Sequence, residues 1–154
     1  MITDTDTLQL PTQDVVLDSI DKDGEQIGKI ALRIYNQLGP LYGREKFYHK
    51  AFVAELMAEG RSVQSEAPLA VEYTTLKGNI VSVGTMYLDI LTEHYFIELK
   101  NVKKIQPSHI LQAEFYSRRL QKKGYIINFK SDKDQEVELI LVGTQQEKKM
   151  VGKY

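Results

Sequence analysis

The chain has 154 residues, a length suited to one domain with a substantial core. Hydrophobic residues make up 42% and charged residues 27%, which is typical of a globular domain, and no apolar run approaches the ~20 residues of a membrane span. Because the chain has no cysteine, it has no disulfides or thiolate metal ligands, so a metal would need carboxylates, histidines or carbonyls. The net charge of −1 neither supports nor excludes a nucleic-acid partner, because binding depends on the local distribution of charge.

The two ends of the chain are polar. Residues 1–14 contain Pro11 and predict a loose arm, without the basic start and apolar stretch of a secretory signal. We therefore expect an intracellular protein, cytoplasmic or, in a eukaryote or virus, nuclear, with no membrane partner. Residues 15–143 are expected to form a single domain, and residues 144–154 a lysine-rich tail.

Apolar residues at helical spacing predict three helices, at residues 18–38, 44–59 and 108–123. Ser108 is the expected N-cap of the third helix, and Gly124 is expected to end it.

Five segments have the alternation or the apolar content of strands, and Gly84 predicts a bulge in the second of them. The predicted order is therefore α-α-β-β-β-α-β-β, an α/β domain with helices packed on a mixed central sheet. The predicted strands are residues 63–75, 80–91, 95–100, 125–129 and 137–142.

Three polar side chains interrupt the second and third predicted strands. Asp89 lies in an otherwise apolar strand, and Glu98 and Lys100 alternate with apolar residues on the next one. Burying a carboxylate costs free energy unless it is paired or binds a metal. Two acids and a lysine on neighbouring strands could meet this condition, because the acids can share a cation and the lysine can pair with them. On the residues alone, a solvated sheet face for Glu98 and Lys100 and a strand end for Asp89 stay open as the alternative.

The same residues suit hydrolysis of a phosphodiester bond. Mg²⁺ prefers oxygen ligands and keeps several waters, and such an ion activates water and stabilises a leaving oxygen. Lys100 would orient the attacking water or stabilise negative charge in the transition state.

The spacing Asp89-x8-Glu98-x-Lys100 resembles the D-x(n)-E-x-K signature of the PD-(D/E)XK nuclease superfamily. The surrounding segments resemble the GxxExxY family within it, which is related to RecB-type exonucleases. The resemblance covers about residues 27–130 and implies a restriction endonuclease-like core. The segments that carry it are Leu38-Gly39-Pro40 with Glu45-Lys-Phe-Tyr48, Gly84 to Glu93, Phe96 to Val102, Pro107 to Tyr116, and Gly124 to Phe129.

The resemblance also implies roles for further residues. Glu45 matches the early-helix acid that completes the metal shell, although the loop before it is one residue longer than the family pattern. Gln112 and Tyr116 match a Q-x-x-x-Y motif, and their spacing places both on one helix face. The implied metal ligands are Glu45, Asp89, Glu98 and the carbonyl of Leu99, and the implied catalytic residues are Asp89, Glu98, Lys100 and Gln112. The implied nucleic-acid or supporting residues are Tyr116, His109, Tyr48, Lys103 and Lys104.

The resulting expectation is an Mg²⁺- or Mn²⁺-dependent nuclease that acts on DNA in repair, recombination or replication. RNA stays open as the substrate, and a homo-oligomer or a protein assembly is possible. The alternative is a catalytically silent nuclease fold that binds DNA or protein within a larger assembly. His49, one turn after Glu45, is interpreted as a surface partner of that acid.

Overall fold

The computed structural model of the chain describes residues 21–40, 44–131 and 137–143. The predicted arm and tail lie outside the described residues. The described part contains α1 (Lys22–Leu38), α2 (Glu45–Ala58), β1 (Gln64–Thr74), β2 (Ile80–Leu91), β3 (Tyr95–Lys100), α3 (Pro107–Leu120), β4 (Lys123–Phe129) and β5 (Val137–Val142). This order confirms the predicted α/β class.

The five strands form one mixed sheet in the order β1-β2-β3-β4-β5. Only the β3–β4 pair is parallel among the described strands, with Tyr95 opposite Lys123 and Lys100 opposite Asn128. A parallel pair needs a crossover, and α3 supplies it between β3 and β4. The other pairs are antiparallel.

Helices cover both faces of the sheet. The larger core lies between the sheet and helices α1 and α2, and it includes Ile97 and Leu99 of β3. The smaller core lies beneath α3 and includes Phe96. Because strand side chains alternate between faces, Glu98 has the parity of Phe96 and is expected on the α3 side.

Helix α1 is anchored at its first turn. Asp21 is the N-cap and accepts a hydrogen bond from the Gly24 N–H at 2.9 Å. The other contacts of the Asp21 carboxylate tie this helix start to β4, through the ammonium of Lys123 at 2.7 Å and the hydroxyl of Tyr125 at 2.6 Å.

The predicted ends of α3 were wrong. The N-cap is Gln106, not Ser108, and Pro107 occupies the first turn, where a missing N–H costs nothing. The Gln106 N–H donates to Nδ1 of His109 at 3.0 Å, which completes a capping box. At the other end, Gln121 adopts a left-handed conformation with φ of 55° and stops the helix three residues before Gly124.

Gly124 belongs to β4, where it makes room for an aromatic ring. It lies opposite Phe96 in the parallel β3–β4 pair. A Cβ atom at position 124 would overlap the buried Phe96 ring. The glycine therefore serves the packing of the sheet and not the termination of a helix.

The antiparallel pair β1–β2 is longer than the rest of the sheet and contains two irregularities. Val71 lies opposite Gly84 and Glu72 opposite Ser82, so β2 has one extra residue there, Val83, and the predicted bulge is confirmed. The second irregularity lies at Glu66, which has a φ of 51°. No helix within the described ranges is both long and apolar enough to cross a membrane.

Candidate metal-binding active site

Strands β2 and β3 separate at the predicted acidic pair. Their regular pairing consists of Ile90 with Ile97 and Leu91 with Phe96. Beyond it, the Asp89 N–H donates to Oε2 of Glu98 at 2.9 Å, and the Leu99 N–H donates to Oδ2 of Asp89 at 2.8 Å. Carboxylates thus take the place of backbone carbonyls as acceptors, which holds both acids in the gap between the strands.

Glu98 is the most deeply buried acid of the pair, with only 5% of its surface exposed. Burial raises its pKa to about 8, and the negative charge of Asp89 acts in the same direction. The hydrogen bond from the Asp89 N–H and the charge of Lys100 oppose this rise without cancelling it. The carboxylate form of Glu98 therefore lacks sufficient positive charge nearby.

Asp89 is partly buried, and burial raises its pKa as well. The Leu99 N–H and the neighbouring His49 and Lys100 lower this pKa, while charge on Glu66 raises it. Both members of the pair are consequently held in surroundings that favour protonation or a bound cation.

Helix α2 brings a third acid into electrostatic range. Glu45, the first residue of α2, has an exposed side chain, yet the protein around its carboxyl group raises its pKa. The charge of Asp89 raises it further, and Lys100 opposes the rise. Lys100 also interacts with Glu98, so this one ammonium faces three carboxylates.

Helix α3 approaches the same site from the other side of the strand pair. Burial raises the pKa of Tyr116 to about 12, and the charges of Glu98 and Asp89 add to the rise. Burial lowers the pKa of His109, and the charge of Lys100 lowers it further. Gln112, half-buried, is one turn from each of these residues on the same helix. The predicted α3 residues therefore lie on the helix that borders the acidic pair.

The two tyrosines proposed from the sequence are not available to nucleic acid. Tyr48 is fully buried, its hydroxyl donates to the Gly39 carbonyl at 2.7 Å, and its ring stacks on Phe129 with centroids 4.2 Å apart. Tyr116 is 2% exposed and packs edge-on against Phe96. Both rings are core, so of the two predicted roles only the supporting one suits these buried positions, and for Tyr116 it agrees with the place of the ring beside the acids.

Lys103 and Lys104 lie in the segment between β3 and α3, and both are exposed. Their charges are therefore in solvent, three and four residues beyond Lys100 at the end of β3. They remain predicted phosphate contacts.

The sequence did not reveal a second group of residues on the β1 side of Asp89. Nε2 of His49 lies 2.6 Å from Oγ of Ser65, which links α2 to the start of β1. The next residue, Glu66, lies opposite Asp89, between the pairs Ser65–Ile90 and Ala67–Leu88. Its positive φ is uncommon outside glycine and is a conformation that recurs at functional sites. The sequence shows that His49 lies one helical turn after Glu45. It does not show that His49 lies near Asp89, because that depends on how β1 pairs with β2.

The donors at this site match those that magnesium or manganese prefers. Asp89 and Glu98 supply carboxylate oxygens held by backbone N–H groups, and Mg²⁺ is commonly bound through one or two carboxylates together with waters. Among the residues that the structure describes, no three acids or histidines lie close enough together to form a group that could hold a metal ion. The paired carboxylates of Asp89 and Glu98 are oxygen donors suited to a divalent cation, and Glu45 and the Leu99 carbonyl remain predicted further ligands.

A mixed sheet with helices on both faces, and with paired acids and a lysine on two of its strands, defines an α/β protein with a partly buried acidic pair. A family model of the PD-(D/E)XK nuclease superfamily matches residues 21–140. The chain belongs to this superfamily. Neither a curated protein nor a solved structure matched it.

Proposed function

We propose that the protein is a metal-dependent nuclease that hydrolyses phosphodiester bonds, with DNA as its substrate. The observation that carries the proposal is the reciprocal bonding of Asp89 and Glu98 across the separated strands, with Lys100 as the nearby cation. Membership of the nuclease superfamily supports the same assignment.

In this proposal Asp89 and Glu98 hold Mg²⁺ or Mn²⁺, and Glu45 and the carbonyl of Leu99 complete the protein ligands. When bound, the ion would polarise the phosphate and activate water. The Asp89 and Leu99 N–H groups fix the two carboxylates, so little reorganisation is needed when the cation enters.

The remaining residues act on water and phosphate. Lys100 orients the attacking water or stabilises the negative charge that develops on the phosphate. Gln112 positions a water or a phosphate oxygen from α3, and His109 contacts phosphate at the rim. Tyr116 supports the wall of the site through its packing on Phe96.

A DNA substrate is supported by the charge beyond the catalytic strand. Lys103 and Lys104 are exposed and lie three and four residues after Lys100 in the chain. Each cation that neutralises a phosphate adds affinity that falls with salt. An assay with matched DNA and RNA of the same sequence distinguishes the two substrates.

A cleavage assay tests the proposal. With Mn²⁺ or Mg²⁺, the wild type should cut labelled DNA, and Asp89→Asn, Glu98→Gln and Lys100→Ala should each reduce the rate by at least about 10²-fold, as loss of an electrostatic catalytic group does. Glu93→Gln, an exposed acid in the turn after β2, is the matched control and should retain the rate. Equal rates for the wild type and the three site variants would contradict the proposal.

A second candidate is a binding module without catalysis. This candidate requires DNA binding that persists in chelator and survives Asp89→Asn, with no cleavage by the wild type.

A further inference from the structure

Helix α2 carries Glu45, the predicted third metal ligand, in a first turn that is poorly capped. Arg44 occupies the N-cap position, and in the described part of the chain its side chain makes no capping hydrogen bond. The N–H groups of a first helical turn have no partners within the helix, so an end of this kind frays easily. Other contacts must therefore hold Glu45 in place.

Two hydrogen bonds on either side of Glu45 hold the start of α2. Tyr48 and His49 follow Glu45 by three and four residues, so both lie beside it on the helix surface. The Tyr48 hydroxyl donates to the Gly39 carbonyl at 2.7 Å, which ties α2 to the end of α1. Nε2 of His49 lies 2.6 Å from Oγ of Ser65, which ties α2 to β1.

The bond to β1 is made next to Asp89. Ser65 lies opposite Ile90, and the following residue, Glu66, lies opposite Asp89. Burial raises the pKa of Asp89, and the charge of His49 is among the interactions that lower it. His49 therefore joins α2 to the strand pair beside the first acid of the site.

Ser65 reaches α2 because the two strands change face at this point. Leu88 belongs to the smaller core beneath α3, whereas Ile90 belongs to the larger core against α1 and α2. In a regular strand, residues two apart face the same side, so β2 changes face between them. Strand β1 does the same, since Ala67 lies in the smaller core while Ser65 contacts His49.

The change of face in β1 occurs at Glu66, which has a φ of 51°. This backbone conformation is uncommon for a residue other than glycine, and it costs free energy that the surrounding structure has to offset. With an extended Glu66, regular alternation would place Ser65 on the α3 side together with Ala67. The left-handed residue therefore makes the bond between His49 and Ser65 possible.

We propose that His49 is a positioning residue, which holds Glu45 beside the acidic pair through its hydrogen bond to Ser65. This inference rests on the proposed function, because it gives Glu45 the role of a metal ligand. His49 acts through α2 and not by contact with the cation or the phosphate. Asp89 and Glu98 do not depend on this bond, so its loss weakens cation binding without abolishing it.

Binding of Mn²⁺ to the full chain without DNA tests the proposal, with free Mn²⁺ measured by electron paramagnetic resonance. Ser65→Ala should raise the Kd for Mn²⁺ by roughly tenfold, as loss of a contact that supports a metal ligand does. Ser65 is exposed, so this substitution leaves no cavity in the core. Ser65→Thr keeps the hydroxyl and should bind as the wild type does. Ser82→Ala, at an exposed serine of β2, is the matched control and should leave the Kd unchanged.

A Glu45→Gln background separates positioning from a general effect on the fold. Glu45→Gln removes the ligand that His49 is proposed to hold, so adding Ser65→Ala should not weaken Mn²⁺ binding further. If Ser65→Ala weakened binding equally in both backgrounds, it would act on the fold as a whole, and the positioning role would be wrong.

Amide hydrogen exchange in chelator supplies a measurement that needs no metal. Ser65→Ala should speed exchange in the first two turns of α2 and leave α3 unchanged. A wild type that binds no Mn²⁺ would overturn the proposed function and this inference with it. A wild type that binds Mn²⁺, together with a Ser65→Ala variant of the same Mn²⁺ affinity, would overturn the inference alone.

Discussion

Glu98 is buried against the backbone of β2 while the charge of Asp89 lies beside it, and burial raises its pKa to about 8. The ordinary pKa of a glutamate is 4.5. Between pH 4.5 and about 8, Glu98 is therefore protonated in the folded protein but ionised in the unfolded chain. Because the folded state then binds more protons, its stability falls as pH rises between about 4.5 and about 8.

Glu98→Gln removes this titration but keeps an oxygen that can accept from the Asp89 N–H. In chelator at pH 9, we expect the variant to be more stable than the wild type by more than about 1 kcal/mol, since one pKa unit corresponds to ~1.4 kcal/mol. The excess should shrink as pH falls towards 4.5. Urea unfolding across this pH range measures it, and an excess that is equal at all pH values would contradict the burial of a titrating Glu98.

Asp89 and Glu98 could be predicted from the sequence because each is an acid within an apolar strand. An acid in such a position is costly to bury unless it is paired or binds a cation. The link from His49 to Ser65 could not, since it joins residues whose proximity is set by the packing of α2 against the sheet. The left-handed backbone of Glu66 is equally hidden, because glutamate does not prefer that conformation.

At the scale of elements, the order of helices and strands could be predicted from periodicity, whereas the structural role of Gly124 could not. Gly124 was expected to stop α3, as glycine often does after a helix. Its neighbour across the parallel pair is Phe96, and that pairing depends on a crossover whose register no local pattern contains. The Phe96 ring in turn packs edge-on against Tyr116. Because Gly124 has no side chain, Phe96 has the space to make this contact beside the acids.

Gly124→Ala should therefore destabilise the fold. The added Cβ atom meets the Phe96 ring in a buried layer, and overpacking of this kind costs ~1–3 kcal/mol or more. Thermal unfolding measures the effect. Gly78→Ala is an informative comparison, because that glycine has open space around it and a φ of 88°, so its loss reports backbone strain alone. A Gly124→Ala variant as stable as the wild type would contradict the close packing of the Phe96 ring on β4.

At the scale of the whole molecule, the sheet divides into a covered half and an uncovered half. Strands β3, β4 and β5 lie between helices, while the paired strands β1 and β2 are exposed along most of their length. Alternation predicted β1 and β2 as strands, but their apolar residues looked like those of any sheet core. Whether such residues are buried depends on how far neighbouring strands extend, which a single strand does not reveal.

The acidic site lies where these two halves meet. Asp89 lies on β2 next to the residues that pair with β3, Glu98 and Lys100 are on β3, and α2 and α3 approach from the two faces. Where β2 separates from β3, it leaves the gap in which the two carboxylates replace backbone acceptors.

The most direct test of the central claim is a crystal of the protein soaked in Mn²⁺, with anomalous diffraction recorded at the manganese edge. We predict an anomalous peak in contact with the carboxylates of Asp89 and Glu98 and the carbonyl of Leu99. The peak should be lost in Asp89→Asn crystals that keep the same fold. A wild-type crystal with no peak at this position, and with the two carboxylates turned apart, would contradict the assignment of a metal-dependent nuclease site.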